Sequence, residues 1–253
     1  MVEIAQHDIE IKENRAHWER KPVLRLVYQA FYQNIARWTL SGGEGVTLEL
    51  GSGMGNIKET LSDCLTSDLF PNPWLDRVEN AYALNWSDKS VQNLILFDVF
   101  HHLQHPGHAL TEMARAVRPG GRPIIFEPGM GLLPRLINRL FHHEPIGFGQ
   151  PIEWDAPQGF DPNNHPYYAA QGNSWRVFVQ KEGLSQHVQH DWKVLHVGCE
   201  PGWAWLMCGG LRGPQLYPDA LLPAAQLLEK FLSLLPSIFA GRLLVVLERK
   251  SAS

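Results

Sequence analysis

The sequence predicts an α/β protein with a doubly wound, mostly parallel sheet. Short, largely apolar runs at Val46–Leu50 and Val91–Phe97 are typical of strands that are buried on both faces. A glycine-rich stretch follows the first run directly, where an open α/β sheet turns from a strand into a helix. Strands that alternate with helical patterns then favour parallel pairing with helices on both faces of the sheet.

Each further element follows from its local pattern. Residues 10–40 carry apolar and aromatic side chains at helical spacing, which predicts one or two amphipathic helices. Seven strands are predicted, at residues 46–50, 64–68, 76–80, 91–97, 123–127, 192–199 and 243–247. Further helices are predicted at residues 56–62, 107–117, 174–182 and 221–235, with a turn at residues 118–121.

We expect one domain over residues 1–253. It would consist of a helical N-terminal cap at 1–43, a core at 44–128, an insertion at 129–173 and the C-terminal part of the sheet at 174–253. The insertion is rich in Gly, Pro, His, Trp and Tyr and fits no regular element, so it is predicted to be irregular. Long irregular loops in compact domains are usually functional, which favours a lid or a substrate insertion.

Composition argues against nucleic-acid-binding, disulfide-rich and membrane-spanning proteins. The chain of 253 residues has a formal net charge of -4, which argues against general nucleic-acid binding because phosphate needs a surplus of Lys and Arg. Three cysteines without a C-x-x-C pair favour a reducing compartment. With no basic, apolar leader and no long apolar run, we expect a soluble, cytoplasmic protein without a membrane span.

The stretch after the first strand is the most informative motif. It runs Glu49-Leu50-Gly51-Ser52-Gly53-Met54-Gly55-Asn56. Glycines permit a sharp turn and close approach of a ligand, and the helix that follows offers free N–H groups, which suits a nucleotide-like ligand. A nicotinamide dinucleotide site requires its third glycine at position 56, which is Asn56, whereas Glu49 can attract the ammonium group of a sulfonium ligand. Alone, the triplet is also compatible with an ordinary glycine turn.

Two further segments support a ligand site. Asp68 ends the second predicted strand, where a carboxylate can accept the hydroxyls of a ribose, although an acid at such a place is often merely solvated. The fourth strand continues into Asp98-Val99-Phe100-His101-His102, and Arg118-Pro119-Gly120-Gly121 follows one helix later.

With these motifs together, the chain resembles the class I S-adenosylmethionine-dependent methyltransferases, in particular the type 11 methyltransferase domain family. The resemblance covers about residues 44–128 and implies a Rossmann-like methyltransferase fold with S-adenosyl-L-methionine as cofactor. It places Gly51, Ser52, Gly53 and Gly55, with Glu49, against the methionine part of the cofactor. It also implies Asp68 at the ribose, Asn80 and Ala81 next to the adenine, and Asp98 near the methyl group.

The chain departs from the family pattern in three ways. The helix between Gly55 and Asp68 is unusually short, so Asp76 and Glu79 stand as substitutes for the ribose acid. Asn80 replaces an acid, and Gln92 stands where an aspartate is common.

Histidines provide the candidate catalytic groups. His101 and His102 follow the fourth strand, and histidine titrates near neutrality, so either can act as a general base near the transferring methyl. His101, His105 and His108 have the spacing of a helical metal face, but Pro106 and Gly107 break it, and we expect no metal. The next candidates for the base are His142, His143 and Glu144.

The predicted function is methyl transfer to a small-molecule acceptor, at an O or N atom, by in-line displacement. Two alternatives stay open: a non-catalytic methyltransferase-like protein that assists a partner, and an NAD(P)-dependent oxidoreductase. The sequence does not identify the acceptor.

Overall fold

The computed structural model describes residues 2–142, 144–164 and 166–251, with no account of the side chains of residues 2–8 and 10. Within these residues, seven strands form one sheet. The strands are β1 Val46–Leu50, β2 Leu65–Asp68, β3 Arg77–Val78, β4 Val91–Phe97, β5 Val117–Pro128, β6 Trp192–Glu200 and β7 Arg242–Arg249.

The strand order confirms the predicted doubly wound sheet. Its order is β3-β2-β1-β4-β5-β7-β6. The first five strands in this order are parallel to one another, whereas β7 is antiparallel to both β5 and β6. The order reverses between β1 and β4, and ligands of open α/β sheets bind beyond the strand carboxyl ends at such a point.

Helices cover both faces of the sheet. Their bounds are α1 Val2–Arg20, α2 Pro22–Ala36, α3 Pro106–Ala116, α4 Leu132–Phe141, α5 Asn173–Phe178, α6 Trp203–Met207, α7 Leu222–Leu232 and α8 Pro236–Phe239. Proline opens α2 and α3, where its fixed φ suits the first turn and its missing N–H costs nothing.

The side chains of β4 divide between two cores. Leu94 and Leu96 join the core beneath α3 and α5, whereas Ile95 and Phe97 join the core beneath α2. All seven residues of β4 are buried, which explains the apolar run at residues 94–97 within this strand.

The connection from β1 to β2 is unusually short. The helix predicted at residues 56–62 is one 3₁₀ turn, Asn56–Glu59, which buries Ile57. Helix α2 contacts this turn and covers the same face of the sheet. The N-terminal helices therefore take part of the place of a longer crossover helix.

Two predictions about local structure were wrong. The insertion is not wholly irregular, because α4 forms at its start. Pro134 lies in the first turn of α4, where no N–H is needed. Residues 118–121 were predicted as a turn and instead lie within β5, as a bulge where its pairing with β4 shifts register and Gly120 has φ +75°.

Candidate active site

Three glycines shape the loop that follows β1. Gly51, Gly53 and Gly55 have φ of +65°, +54° and +71°, the left-handed region that glycine enters at little cost. A Cβ on Gly51 would lie 2.4 Å from Cγ2 of Val99, which no real side chain tolerates. A Cβ on Gly53 would meet only Cδ1 of Ile11, at 3.8 Å. Gly51 is therefore required by packing, whereas the backbone of Gly53 has room beside it.

Asp68 is tied to this loop. The backbone N–H of Gly53 donates to Oδ2 of Asp68 at 3.0 Å, and that of Leu69 donates to Oδ1 at 2.7 Å. Ser52 and Ser67 add reciprocal hydrogen bonds between the loop and β2. The carboxylate at the end of β2 therefore lies directly beside the glycine loop, as predicted from its place in the sequence.

The two substitute acids serve local structure. Asp76 accepts from the N–H and the hydroxyl of Thr66 and pairs with Lys58. Glu79 is buried, lies 2.8 Å from Arg77 and accepts from the N–H of Asn85. Both carboxylates have partners that explain their positions, which leaves Asp68 as the acid next to the loop.

Glu49 is a buried acid next to the same loop. Its side chain is buried, and its Oε2 has no hydrogen-bond partner among the described residues. Burial raises the pKa of Glu49 to about 8, a hydrogen bond from Ser52 opposes this rise, and the charge of Asp68 adds to it. A buried acid without a partner is costly, so it indicates a place where a cationic group would be stabilising.

We expect Glu49→Gln to make the protein more stable than the wild type, with an advantage that grows with pH. The folded state holds a proton on Glu49 up to about pH 8, whereas the unfolded chain releases it near pH 4.5. Wild-type stability therefore falls as pH rises between these values, by at most about 1.4 kcal/mol per pH unit from this group. Denaturant unfolding at pH 5, 6, 7 and 8 measures the difference.

Titration of the neighbouring Tyr32 and Cys64 does not contribute to this pH dependence. Burial, with a contribution from Glu49, raises the pKa values of Tyr32 and Cys64, so both stay neutral across the window. The exposed Glu59, changed to Gln, is the matched control and should leave the pH dependence unchanged. Parallel curves for Glu49→Gln and the wild type would contradict a raised pKa at Glu49.

Asp98 lies at the end of β4 and is paired with an arginine that the sequence had not indicated. Asp98 has φ +55°, and its Oδ1 lies 2.6 Å from Nη1 of Arg242, the first residue of β7. Burial raises the pKa of Asp98, opposed by Arg242. Arg242 is itself buried against Phe97 and Phe126. The pair joins the centre of the sheet to its antiparallel edge.

Asn80 holds the insertion in place. Its Nδ2 donates to the carbonyl of Pro162 at 2.6 Å, and its Oδ1 accepts from the N–H of Tyr82. Ala81, next to it, is half-buried against the core. The predicted adenine-side residues thus lie where the end of β3 meets the insertion.

His101 and His102 meet Glu144 of the insertion. Nδ1 of His101 lies 2.8 Å from Oε2 of Glu127, at the end of β5, and Nδ1 of His102 lies 3.0 Å from the carbonyl of Tyr168. The two Nε2 atoms lie 3.5 Å and 3.8 Å from the carboxylate of Glu144. Two histidines and a carboxylate are therefore brought together at the carboxyl edge of the sheet.

The charges in this cluster are strongly coupled. Burial lowers the pKa of His101, but Glu127, Glu144 and Asp98 outweigh burial and raise it to about 10. Burial and the charge of His101 lower the pKa of His102. Burial raises the pKa of Glu144, but hydrogen bonds with His101 and Gln171 outweigh it, so the net shift is downward.

Other predicted histidines lie outside this cluster. Nδ1 of His105 faces the carbonyl of Glu153 at 3.3 Å, and the ring of His108 packs near Tyr82 and Phe160. The helical face of His101, His105 and His108 is therefore not assembled as a set. His142 accepts from the N–H of Glu144, and His143 lies outside the described residues.

Sequence reasoning missed Glu127 and Arg242. Glu127 follows the apolar run of β5 as Asp68 follows that of β2, so an acid at a strand end was an available signal. Arg242 carried no comparable signal, because its partner Asp98 is 144 positions away in the chain.

A comparison with known protein families supports the resemblance. A family model described as a methyltransferase domain matches residues 48–125, the span from β1 through β5 that carries the glycine loop, Asp68 and the histidines. Over this span the match confirms the resemblance to S-adenosylmethionine-dependent methyltransferases. The methyltransferase is thus an enzyme whose cofactor is S-adenosylmethionine, as the resemblance implied.

Solved structures agree with this methyltransferase fold. One chain, from the complex between the Haloferax volcanii Trm112 methyltransferase activator and the putative methyltransferase, is 16% identical, with a TM-score of 0.57 over 99% of this chain and 98% of that one. A possible histamine N-methyltransferase from Thermotoga maritima is 15% identical, with a TM-score of 0.50 over 96% and 99%. A geranyl diphosphate methyltransferase in complex with SAM is 12% identical, with a TM-score of 0.50 over 87% and 85%. At these identities the likeness concerns the fold.

The search of curated proteins finds no match. Over the part of the chain that the structure describes, no helix combines the length and the apolar character that a membrane crossing requires.

Proposed function

We propose that this methyltransferase transfers the methyl group of S-adenosylmethionine to an O or N atom of a small-molecule acceptor. The observation that carries the proposal is the buried Oε2 of Glu49, which lies beside three left-handed glycines and has no hydrogen-bond partner in the described part of the chain. The cofactor presents an ammonium group on its methionine part, and a buried carboxylate without a partner suits that group.

Residues of β1, β2 and β3 would hold the cofactor. Gly51, Ser52, Gly53 and Gly55 give the methionine part a backbone surface, and Glu49 pairs with its ammonium group. Asp68 would accept the ribose hydroxyls from its place beside Gly53, 3.0 Å from that N–H. Asn80 and Ala81 would flank the adenine, and Asp98, held by Arg242, would lie at the cofactor's reactive end.

The acceptor would bind between the end of β4 and the insertion. The cofactor supplies a good sulfonium leaving group, so the protein's main task is to hold the acceptor in line with it. His101 and His102 are the proposed groups nearest the transferring methyl. The insertion is fastened there by the N–H of Ala170, which donates to the carbonyl of His101, and by Glu144.

Calorimetry with S-adenosylmethionine, S-adenosylhomocysteine and NADH tests the cofactor assignment on the wild-type protein. We expect both sulfur ligands to bind in the common range of about 1 μM to 1 mM, and NADH not to bind. Binding of NADH without either sulfur ligand would refute the proposal.

Asp68→Ala should weaken S-adenosylhomocysteine by roughly 1.5–3 kcal/mol, the scale of hydrogen bonds to a charged group. Because Asp68 also holds the N–H of Gly53, a second ligand is needed to separate the two roles. Methylthioadenosine contains the ribose but lacks the amino-acid part, so Asp68→Ala should weaken it equally, whereas Glu49→Gln should weaken only S-adenosylhomocysteine.

Asp76→Ala is the matched control for Asp68→Ala. Asp76 is bonded to Thr66 and Lys58, so its replacement should lower stability and leave affinity for methylthioadenosine nearly unchanged. If the affinity for methylthioadenosine falls with Asp76→Ala and not with Asp68→Ala, the ribose acid has been assigned to the wrong residue.

A further inference from the structure

The cluster of His101, His102 and Glu144 has the composition of a metal site. Each residue offers one ligand atom, and these atoms lie within 4.8 Å of one another, which no other group of three or more His, Cys, Asp and Glu does among the described side chains. Two ligands of a tetrahedral zinc ion, at about 2.0–2.1 Å from the metal, lie about 3.3–3.4 Å apart. Nε2 of His101 lies 3.5 Å from Oε2 of Glu144 and Nε2 of His102 lies 3.8 Å from its Oε1. Because the ligand atoms of the three residues lie within 4.8 Å of one another, side-chain shifts on the order of 1 Å would bring them to that spacing.

Hydrogen bonds on the far side of each ring fix which nitrogen faces Glu144. The carbonyl of Tyr168 can only accept, so Nδ1 of His102 carries a hydrogen and, in the neutral ring, Nε2 carries a lone pair. Glu127 accepts from the N–H groups of Phe100 and His101, so it accepts from Nδ1 of His101 as well. This pattern of a metal-ligating histidine held by a carboxylate or carbonyl recurs in metal sites.

The lone pair of His102 therefore faces a carboxylate oxygen. Nε2 of His102 and Oε1 of Glu144 are both acceptors at 3.8 Å, an arrangement that a cation, or a water that donates to both, would relieve. Glu144 cannot turn away easily, because Tyr167 donates to one of its oxygens at 2.8 Å and Gln171 to the other at 2.5 Å. A cation would satisfy both acceptors where they stand.

Charge balance favours a divalent ion over a proton. Glu127 and Glu144 bring two negative charges to a place where the side chains of His101 and Glu144 are only 3% and 10% exposed. One proton on His101 leaves a net charge of -1, whereas a divalent ion with two neutral histidines gives zero. Burial makes such a residual charge costly.

We propose that His101, His102 and Glu144 bind one divalent transition-metal ion, with Glu127 and the carbonyl of Tyr168 orienting the two imidazoles. The ligand set of two histidines and a carboxylate suits zinc or ferrous iron. Three protein ligands leave a coordination position for water or for an oxygen of the acceptor, as in catalytic metal sites. This site revises the expectation from sequence that the chain holds no metal, and it does not depend on methyl transfer.

Zinc and cobalt are the probes for the test. Untagged wild-type protein, freed of metal by a chelator, is titrated with Zn²⁺ against a chromophoric chelator and with Co²⁺ by visible absorption, without S-adenosylmethionine. We expect one equivalent to bind. His102→Ala and Glu144→Gln should weaken it more than about 100-fold, because loss of an orienting partner alone costs 10–100-fold. Both side chains lie at the edge of the cluster, and circular dichroism checks that the variants fold.

His108→Ala is the matched control, since this exposed histidine lies on the next helix and outside the cluster. It should bind zinc as the wild type does. Two results would overturn the proposal: a wild-type protein that binds no stoichiometric zinc, or folded His102→Ala and Glu144→Gln variants that bind it with unchanged affinity. Because neither measurement uses the cofactor, failure here is distinct from failure of the proposed methyl transfer.

Discussion

Gly53→Val should abolish binding of S-adenosylhomocysteine. Gly53 has φ +54°, where a β-branched residue is strongly disfavoured, so valine would turn the loop out of its present path. It would also place methyl groups where the cofactor's methionine part is proposed to contact the main chain. Calorimetry should detect no heat with valine, against binding in the range of about 1 μM to 1 mM for the wild type.

Two alanine variants separate the ligand role of Gly53 from a packing role. A Cβ at Gly53 meets only Ile11, at 3.8 Å, so Gly53→Ala should fold with a loss from its positive φ of about 1–2 kcal/mol and bind the cofactor more weakly. A Cβ at Gly51 meets Val99 at 2.4 Å, so Gly51→Ala should lower stability further. If folded Gly53→Val binds like the wild type, the glycine loop serves the fold alone.

The sheet was predictable because its strands carry their own signals. β1 and β4 were predicted at their observed bounds, since strands that are largely buried on both faces are rich in apolar residues. Asp68 was predictable too, because the end of a parallel strand fixes which edge of the sheet its side chain reaches.

Elements that depend on tertiary contacts were harder to predict. Helix α4 was missed although Leu132, Leu136 and Leu140 recur at helical spacing, because Pro134 interrupts this pattern and is tolerated only through its place in the first turn. Residues 118–121 carry a turn composition and yet lie within β5, as a bulge between the pairs that Val117 and Arg122 form with β4. Local propensity gave way to the sheet in this segment.

The histidine cluster was hard to predict from the sequence for the same reason, because tertiary contacts assemble it. His101 and His102 were identified from their place after β4, and Glu144 stood only as a reserve base. Contacts from the insertion bring these residues together, because Gln171 and Tyr167 orient Glu144 and the carbonyl of Tyr168 orients His102. The spacing of His105 and His108 resembled a metal face broken by Pro106 and Gly107, and both histidines face other partners. Contacts across some 40 residues of an irregular segment leave no periodic pattern to detect.

His102→Ala should lower the rate of methyl transfer by roughly 10²–10⁴-fold while leaving affinity for S-adenosylhomocysteine intact. His102 is the more accessible histidine of the pair, 29% exposed against 3% for His101, so it is the one that an acceptor can reach. The lone pair on Nε2 of His102 would act on the acceptor, either directly as a general base or through a cation that it holds. Cofactor affinity should not change, because the proposed cofactor contacts come mainly from β1 and β2.

The measurement requires an acceptor, found by screening phenols, sugars, amines and carboxylates with labelled S-adenosylmethionine. Turnover and cofactor affinity are then compared for the wild type, His102→Ala and the control His108→Ala, whose ring lies against Tyr82 and Phe160. The control should keep the wild-type rate. If replacing both His101 and His102 leaves turnover untouched, neither histidine acts on the acceptor. His142 and Glu144 are then the next residues of the insertion to test. The N–H of Glu144 donates to His142, and the carboxylate of Glu144 lies near both imidazoles.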